Sequence, residues 1–207
     1  MDVTIIGTGN MGRGIATRAL AGGHTVTLLG TDADKAKQLA DELEGDVRAG
    51  AVGDPIEGDV VVLAVWYQAL DDVLARYRDQ LDGKIVIDIT NPVDLETYAP
   101  LTLDAGSAAQ EIAAAAPGAK VVKAFNTTFA SSLVAGEVGG GPLDLFVASD
   151  DDGAKATVRE LAESTGLRYL DAGPLSNARQ LEGAGYLHMA IQPAVGNAYA
   201  SALKVVS

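Results

Sequence analysis

The sequence of 207 residues predicts an α/β fold in which helices cover both faces of a mainly parallel sheet. Two observations carry this prediction. Short apolar segments rich in Val and Ile alternate with amphipathic segments of helical period, as in successive βαβ units. The first apolar segment, residues 3–6, runs directly into Gly7-x-Gly9-x-x-Gly12 and then into a helix-like segment over residues 13–21. That order is typical of the first βα turn of a Rossmann-type, doubly wound sheet.

The glycine loop predicts a dinucleotide site. In such loops the first glycine allows a tight turn, the second allows a pyrophosphate to approach the backbone, and the third allows close packing of helix on strand. The N-terminus of the following helix supplies N–H groups and a partial positive charge for the anion. We therefore expect the whole loop to cradle the pyrophosphate, namely Gly7, Thr8, Gly9, Asn10, Met11 and Gly12.

Composition excludes several other functions. The net charge of −13 argues against nucleic-acid binding, because an acidic surface repels phosphate backbones. The chain has no cysteine and only two histidines, which excludes disulfides and thiolate catalysis and argues against a metal site. The longest apolar run, residues 60–66, is far shorter than the roughly 20 residues needed to span a membrane. The sequence starts without a secretory-signal pattern, so we expect a cytoplasmic protein.

Residues 25–29 form the second predicted strand, and the residues after it decide between the nicotinamide cofactors. Asp32 lies 20 residues past Gly12, a spacing that suits an acid on the ribose hydroxyls of NAD. Asp32 and Asp34 suit equally well the N-terminus of a helix running to about residue 43. Lys35 is close enough to meet the extra phosphate of NADP. The residues themselves leave this choice open.

Three further strands are predicted over residues 59–65, 84–89 and 120–125, and their carboxyl ends should line the ligand cleft. After the first, Ala64, Val65 and Trp66 would wall the cofactor, although Trp66 alone suits packing as well. After the second come Thr90, Asn91 and Pro92, and at the end of the third come Phe125, Asn126 and Thr127. These Asn and Thr side chains can bind a nicotinamide or its ribose, or simply cap the next segment of the chain. Lys123 in the third strand could act as an acid towards a carbonyl, or pair with a ligand anion or a carboxylate.

The remaining sequence predicts one more round of alternation. A helix over residues 104–116, a strand over 143–148, a helix from the acidic triplet 150–152 to about 165 and a strand over 167–170 follow in order. Consecutive acids at a helix start are typical of caps rather than of a metal site. From residue 173 the chain reads as helical to its end, with breaks at Gly183, Gly185, Pro193 and Gly196. We predict a dinucleotide-binding domain over 1–172 and a helical extension over 173–207, which closes the cleft or forms a homodimer contact.

The motifs together resemble the coenzyme F420-dependent NADP reductase family. The resemblance covers nearly the whole chain and rests on residues 5–12, 23–26, 88–92, 123–127 and 170–179. Its most specific part is Asp-Ala-Gly-Pro-Leu-Ser-Asn at 171–177. Lys-Ala-Phe-Asn-Thr at 123–127 also resembles the cytosolic reductase domain of six-transmembrane metalloreductases.

This resemblance implies hydride transfer between NADP(H) and a deazaflavin (coenzyme F420) or flavin stacked on it. In the family the 2′-phosphate is held by a loop threonine, a Ser-Arg pair and a lysine. Thr8 and Lys35 match, whereas Gly30 and Thr31 stand where the Ser-Arg pair would be, so NAD stays an alternative. Asn126-Thr127 replaces the His-Thr of the deazaflavin site. The second redox partner would sit under Trp66, Phe125 and the C-terminal helices.

Hydride transfer between stacked rings depends on alignment and electrostatics rather than on proton relays. The Tyr-x-x-x-Lys pattern of short-chain dehydrogenases is absent, since Ala190 and Leu203 follow Tyr186 and Tyr199 at that spacing. We therefore expect an NADP-dependent oxidoreductase with no catalytic side chain. The alternatives are a flavin or quinone reductase of the metalloreductase type, and a nucleotide-binding sensor or interaction module without turnover.

Overall fold

The computed structural model describes residues 1–196 and 198–206 and confirms the predicted α/β fold. Its centre is a six-stranded sheet with the order β3-β2-β1-β4-β5-β6, in which all neighbours are parallel. The strands are Asp2–Ile6 (β1), Thr25–Gly30 (β2), Val47–Ala51 (β3), Val60–Leu63 (β4), Ile85–Asp88 (β5) and Lys120–Lys123 (β6).

Seven α-helices connect and follow these strands in the described residues. They are Asn10–Ala21 (α1), Ala33–Glu42 (α2), Leu70–Tyr77 (α3), Ala108–Ala115 (α4), Ala130–Ala135 (α5), Asp152–Ser164 (α6) and Ala178–Ala190 (α7). Polar side chains start three of them, because Asp32, Ser107 and Asp151 accept hydrogen bonds from backbone N–H groups in the first turns of α2, α4 and α6. The acidic residues at 150–152 therefore begin a helix, as predicted.

The two faces of the sheet carry separate hydrophobic cores. Along β1, Val3 and Ile5 face one core while Ile6 faces the other, as the two-residue period of a strand requires. The first core includes residues of α1, α2, α5 and α6. The second includes residues of α3 and α4 and the start of α7. Strands buried on both faces explain the continuous apolar runs in the sequence.

A smaller unit continues the sheet beyond β6. After the hairpin of Glu137–Val138 (β7) and Gly141–Pro142 (β8), the parallel pair Asp144–Val147 (β9) and Arg168–Asp171 (β10) follows. An antiparallel bridge joins Lys123 to Ala148, with N···O distances of 2.8 and 3.0 Å in the two directions. The sheet is therefore mainly, and not wholly, parallel.

The prediction of a helical chain from residue 173 to its end is wrong in two respects. Helix α7 passes through Gly183 and Gly185 without a break. After a short 3₁₀ turn, Gly196 adopts a left-handed φ of 105°, and residues 198–206 form no helix. Side chains of the body hold this tail instead: Ser131 and Ser132 donate to its carbonyl oxygens. The division at residues 172 and 173 stays a prediction.

The connections around β1 and β4 create the crevice in which open α/β sheets bind ligands. The chain leaves β1 through α1 on one face and leaves the neighbouring β4 through α3 on the other. The carboxyl ends of these strands therefore open between two diverging helices. Within the described residues, no helix is long and apolar enough to cross a membrane.

Asp144 ties β9 to β10 and to the C-terminal tail. Its carboxylate accepts two hydrogen bonds from Arg168, of 2.7 and 2.6 Å, and one of 2.7 Å from the N–H of Val205. Burial alone would raise the pKa of Asp144, but the hydrogen bonds from Arg168 and Val205 outweigh it and lower the pKa.

We expect Asp144→Asn to lower the free energy of unfolding by about 2 kcal/mol at pH 7, measured by urea denaturation. The difference in the free energy of unfolding between Asp144→Asn and the unaltered protein should become smaller in acid. A carboxylate with a lowered folded-state pKa stabilises the fold above the unfolded-state value of about 4, and that stability is lost as pH falls through the folded-state pKa. Asp152→Asn is the control, because that side chain is 97% exposed. Coincident curves for Asp144→Asn and the unaltered protein would contradict the prediction.

Candidate nucleotide and redox site

The glycine loop is held against the end of β4 by backbone packing. Gly7 has a left-handed φ of 116°, and its N–H donates to the carbonyl oxygen of Leu29 at 2.8 Å. A Cβ at Gly7 would overlap the carbonyl oxygen of Ala64, and a Cβ at Gly12 would overlap that of Gly7. Only glycine fits at these two positions, so the loop is a rigid turn between β1 and α1.

Gly9 differs from Gly7 and Gly12. It precedes α1 in an extended conformation (φ −75°, ψ −170°), and a Cβ built on it would meet no atom within 4 Å. No side chain caps α1, and its first turn holds no acidic residue. The N–H groups at the start of this helix therefore face open space with the positive end of the helix dipole behind them. This arrangement fits a pyrophosphate over Gly9.

The predicted ribose end contains Thr8, Gly30, Thr31 and Lys35. A Cβ on Gly30 would lie 3.1 Å from Thr8 Oγ1, which places the loop threonine beside the end of β2. Asp32 Oδ1 accepts from the N–H groups of Asp34 and Lys35 at 3.1 and 3.2 Å, so Asp32 caps α2. The ammonium of Lys35 is 3.7 Å from Asp32 Oδ2, and its side chain is 76% exposed. Lys35 is thus free to turn towards a phosphate.

The residues after β4 lie beside the glycine loop, and their contact with a cofactor stays a prediction. The Ala64 N–H donates to the carbonyl oxygen of Ile6 at 2.8 Å, and Val65 Cγ1 would lie 3.3 Å from a Cβ on Gly7. Trp66 is 60% exposed and does not belong to the hydrophobic core, and its contact with a cofactor stays a prediction.

Two asparagines at the ends of β5 and β6 form a reciprocal pair. Asn91 Nδ2 donates to the carbonyl oxygen of Asn126 at 2.9 Å, and Asn126 Nδ2 donates to Asn91 Oδ1 at 2.9 Å and to the carbonyl oxygen of Leu181 at 2.8 Å. Among the described residues, Asn126 Oδ1 and Thr90 Oγ1 are buried and lack hydrogen-bond partners. Unpaired buried polar atoms are rare, so these two fit donors on a bound molecule such as a carboxamide.

Pro92 and Phe125 were both expected to contact the cofactor, but both side chains are buried. Pro92 is buried, although it lines the edge of a cavity beside α7. The Phe125 ring is 2% exposed and belongs to the hydrophobic core, so it does not offer a face to a redox partner. Its backbone has a φ of 62°, which is uncommon outside glycine. Hydrogen bonds from Thr128 to the Phe125 carbonyl oxygen hold this turn, which directs the chain to Asn126.

A buried ion triad lies beneath the asparagine pair and was not predicted as a unit. Lys123 Nζ donates to Asp88 Oδ2 at 2.7 Å, to the carbonyl oxygen of Thr90 at 2.5 Å and to Glu182 Oε1 at 2.7 Å. The expected pairing of Lys123 with a carboxylate is therefore confirmed. Asp88 could have been found because it faces Lys123 in parallel register, whereas nothing in the sequence pattern points to Glu182.

The charge of Glu182 is unfavourable in this environment. Burial raises the pKa of its carboxyl, the ammonium of Lys123 lowers it, and the carboxylate of Asp88 raises it again. The net result is a pKa above the usual value. Glu182 also lines a cavity of about 260 Å³ between α7 and the segment over residues 91–106. Its other linings include Asn91, Pro92, Leu101, Arg179 and Tyr186.

The three glycines of the loop allow a test that separates folding from binding. We expect Gly9→Ala to keep the stability of the unaltered protein but to weaken NADP⁺ or NAD⁺ binding at least about tenfold, because the methyl group would occupy the phosphate position. Gly12→Ala should instead lower the melting temperature, because its methyl group overlaps the Gly7 carbonyl. Thermal unfolding and calorimetric titration measure both. Undiminished nucleotide affinity in Gly9→Ala would refute this position for the phosphates.

The comparisons with known proteins agree with this geometry. The family profile described as "NADP oxidoreductase coenzyme F420-dependent" matches residues 2–92. The F420-dependent NADP reductase of Methanothermobacter thermautotrophicus is 37% identical over 200 residues, covering 88% of this chain and 85% of that protein. Metalloreductase STEAP3 of Rattus norvegicus is 33% identical over 181 residues, and the match spans 87% of this chain but only 35% of that longer protein.

A solved structure gives the same result for the fold. A protein of Arthrobacter sp. FB24, described as a candidate F420-dependent NADP-reductase, superposes with a TM-score of 0.83 at 29% identity over 100% of both chains. The superposition therefore includes the sheet, the glycine loop and helix α7. By sequence and by fold, the chain belongs to the F420-dependent NADP oxidoreductase family.

Proposed function

We propose that this NADP-dependent oxidoreductase transfers a hydride between NADP(H) and a deazaflavin of the coenzyme F420 type. The observation that carries the proposal is the presence of two spaces beyond the carboxyl ends of the parallel strands β1 and β5. One is the open position over Gly9 at the start of α1, and the other is the cavity beside Asn91 and Glu182. They suit a nucleotide and a second ring system, respectively.

The nucleotide would lie across the switch point between β1 and β4. Its pyrophosphate would rest on Gly9 and the N-terminus of α1, and its adenosine ribose would approach Thr8, Thr31 and Lys35. The nicotinamide would lie near Ala64, Val65 and Asn91, where Thr90 Oγ1 and Asn126 Oδ1 offer buried polar atoms to its carboxamide. The backbone N–H groups and Lys35 suit an anionic ligand in a chain with a net charge of −13.

The bound nicotinamide would supply the hydride, and this chain would supply alignment. A rigid turn at Gly7, the paired asparagines and the buried carboxylates would form the floor of the cleft. Trp66, exposed at the mouth, would shield the reacting faces from water. Fixed geometry of this kind converts a bimolecular reaction into an effectively unimolecular one.

A flavin reductase is the second candidate, and one observation favours it. The match to metalloreductase STEAP3 covers 87% of this chain, so the same fold serves a metalloreductase. Turnover of FMN or FAD with NADPH, and none with the deazaflavin, would establish this alternative. A homodimer and a cytoplasmic location stay predictions.

The proposed function is tested with the unaltered protein by mixing NADPH separately with coenzyme F420, FMN and FAD. We expect saturable reduction of the deazaflavin, followed by its absorbance, at a rate above that with either flavin. Absence of turnover with all three acceptors, despite tight NADPH binding, would contradict the proposal.

Lys35→Ala tests the choice between NADP and NAD. Loss of one ammonium beside the 2′-phosphate should raise the Kd for NADP⁺ about tenfold while leaving NAD⁺ binding nearly unchanged. Stability should not change, because the pair of Lys35 with Asp32 is exposed. Lys37→Ala, an exposed lysine on the same helix, is the matched control. An equal effect on both nucleotides, or on neither, would contradict a role for Lys35 in NADP preference.

A further inference from the structure

Glu182 has one carboxyl oxygen that the ion triad does not use. It lies on α7 with one oxygen, Oε1, between the Lys123 ammonium at 2.7 Å and the Ala108 N–H at 3.0 Å. Its second oxygen, Oε2, has no hydrogen-bond partner in the part of the chain that the structure describes. Because Glu182 lines the cavity, Oε2 is the carboxyl oxygen available to a molecule bound there.

The triad holds two carboxyl groups and a single ammonium. With both carboxylates ionised, a net negative charge is buried among Lys123, Asp88 and Glu182, whose side chains are 0%, 0% and 7% exposed. Buried net charge is costly, so the site favours one additional proton. Asp88 is fully enclosed, with Oδ1 engaged by the Thr90 N–H and Oδ2 by Lys123. Glu182 Oε2 is therefore the atom at which this proton is held and exchanged.

The other charged and titratable groups around the cavity do not take the place of the triad of Lys123, Asp88 and Glu182. Arg179 and Tyr186 share α7 and line the same cavity. On the other packed elements, Tyr67 donates to Glu111 of α4 at 3.0 Å, and burial together with the charges of Glu111, Asp71 and Glu182 raises the pKa of Tyr67 to about 12. Tyr67 therefore stays protonated. The cavity-lining residues between 91 and 106 carry no charge.

We propose that Glu182 is the catalytic acid that gives a proton to the hydride acceptor, from Oε2 into the cavity beside Asn91. The inference rests on the proposed hydride transfer and adds a proton donor to it. In the direction that consumes NADPH, the acceptor takes up two electrons and one hydrogen as a hydride. Glu182 gives its proton to a conjugated nitrogen or oxygen of the same acceptor and becomes a carboxylate. Solvent then returns a proton to Glu182, so NADPH, acceptor and one proton yield NADP⁺ and the doubly reduced acceptor.

Charge balance favours the coupling of hydride transfer to proton transfer from Glu182. The nicotinamide ring becomes positive as the hydride leaves, and the triad becomes negative as Glu182 loses its proton. With the nicotinamide placed near Asn91 as proposed, the two new charges would arise close together in a buried region, where opposite charges attract each other strongly. A fixed carboxylate at this place would likewise favour the oxidised, positively charged nucleotide.

The first experiment needs no acceptor. Calorimetric titrations in buffers of different ionisation enthalpy give the number of protons released when NADP⁺ or NADPH binds, between pH 5 and pH 9. We expect NADP⁺ to release more protons than NADPH, by up to one per site, because only the oxidised ring carries a positive charge. The 2′-phosphate is common to both nucleotides and cancels in the difference. The difference should vanish in Glu182→Gln and persist in Glu111→Gln, a matched control on α4.

The second experiment uses whichever acceptor is turned over. With NADPH as donor, kcat should fall as pH rises through the pKa of Glu182, because the protonated form is the donor. Glu182→Gln should lower kcat about 100-fold and abolish this descending limb of the pH profile, that is, the fall of kcat with rising pH. Asp88→Asn should shift the limb to lower pH, because removing a like charge lowers the pKa of Glu182. Glu111→Gln should leave the profile unchanged.

Two results would overturn the proposal. One is an equal proton release by NADP⁺ and NADPH throughout the pH range in the unaltered protein, or an unchanged difference in Glu182→Gln. The other is a Glu182→Gln variant with an unchanged pH profile. If no acceptor is turned over, the proposed function fails, while the proton release still decides the role of Glu182.

Discussion

The buried ammonium of Lys123 determines how the redox half of the cleft is assembled. It binds Asp88 on β5, the carbonyl oxygen of Thr90 just beyond that strand, and Glu182 on α7. Removing one partner of a buried ion pair costs about 3–5 kcal/mol, because the remaining charge is left uncompensated. The C-terminal helix is therefore fixed to the carboxyl ends of β5 and β6, and the cavity beneath it has a defined shape.

The asparagine pair depends on the same attachment. Because α7 is held close, its Leu181 carbonyl oxygen accepts from Asn126, and its Gly185 lies so near that a Cβ would come within 2.6 Å of Asn91 Oδ1. The asparagine pair is thereby held in place, and in the described structure the Oδ1 atom of Asn126 has no hydrogen-bond partner. The nucleotide half of the cleft differs, because the backbone of the loop at Gly7, Gly9 and Gly12 forms almost all of it.

This difference explains how much could be predicted from sequence. The glycine loop, the strands and the polar strand ends are local patterns, so the fold could be predicted and a nucleotide site proposed from them. The sequence left Asp32 open between a ribose contact and a helix cap, and the structure shows that it caps α2. Helix α5 has only six residues and no capping side chain, and it was missed. The Phe125 ring was expected at the cleft because a strand-end position does not reveal a left-handed φ. Glu182 stands 59 residues from Lys123, and only the folded chain brings them together.

The central claim is that the cleft brings two ring systems together for direct transfer of hydrogen. NADPH carrying deuterium at C4 of the nicotinamide, mixed with the deazaflavin and this protein, tests it directly. A deazaflavin accepts the hydride at carbon, where the isotope does not exchange with water. The account predicts that mass spectrometry finds the deuterium on the reduced deazaflavin for one of the two C4 positions. Deuterium released into water from both positions would contradict direct transfer.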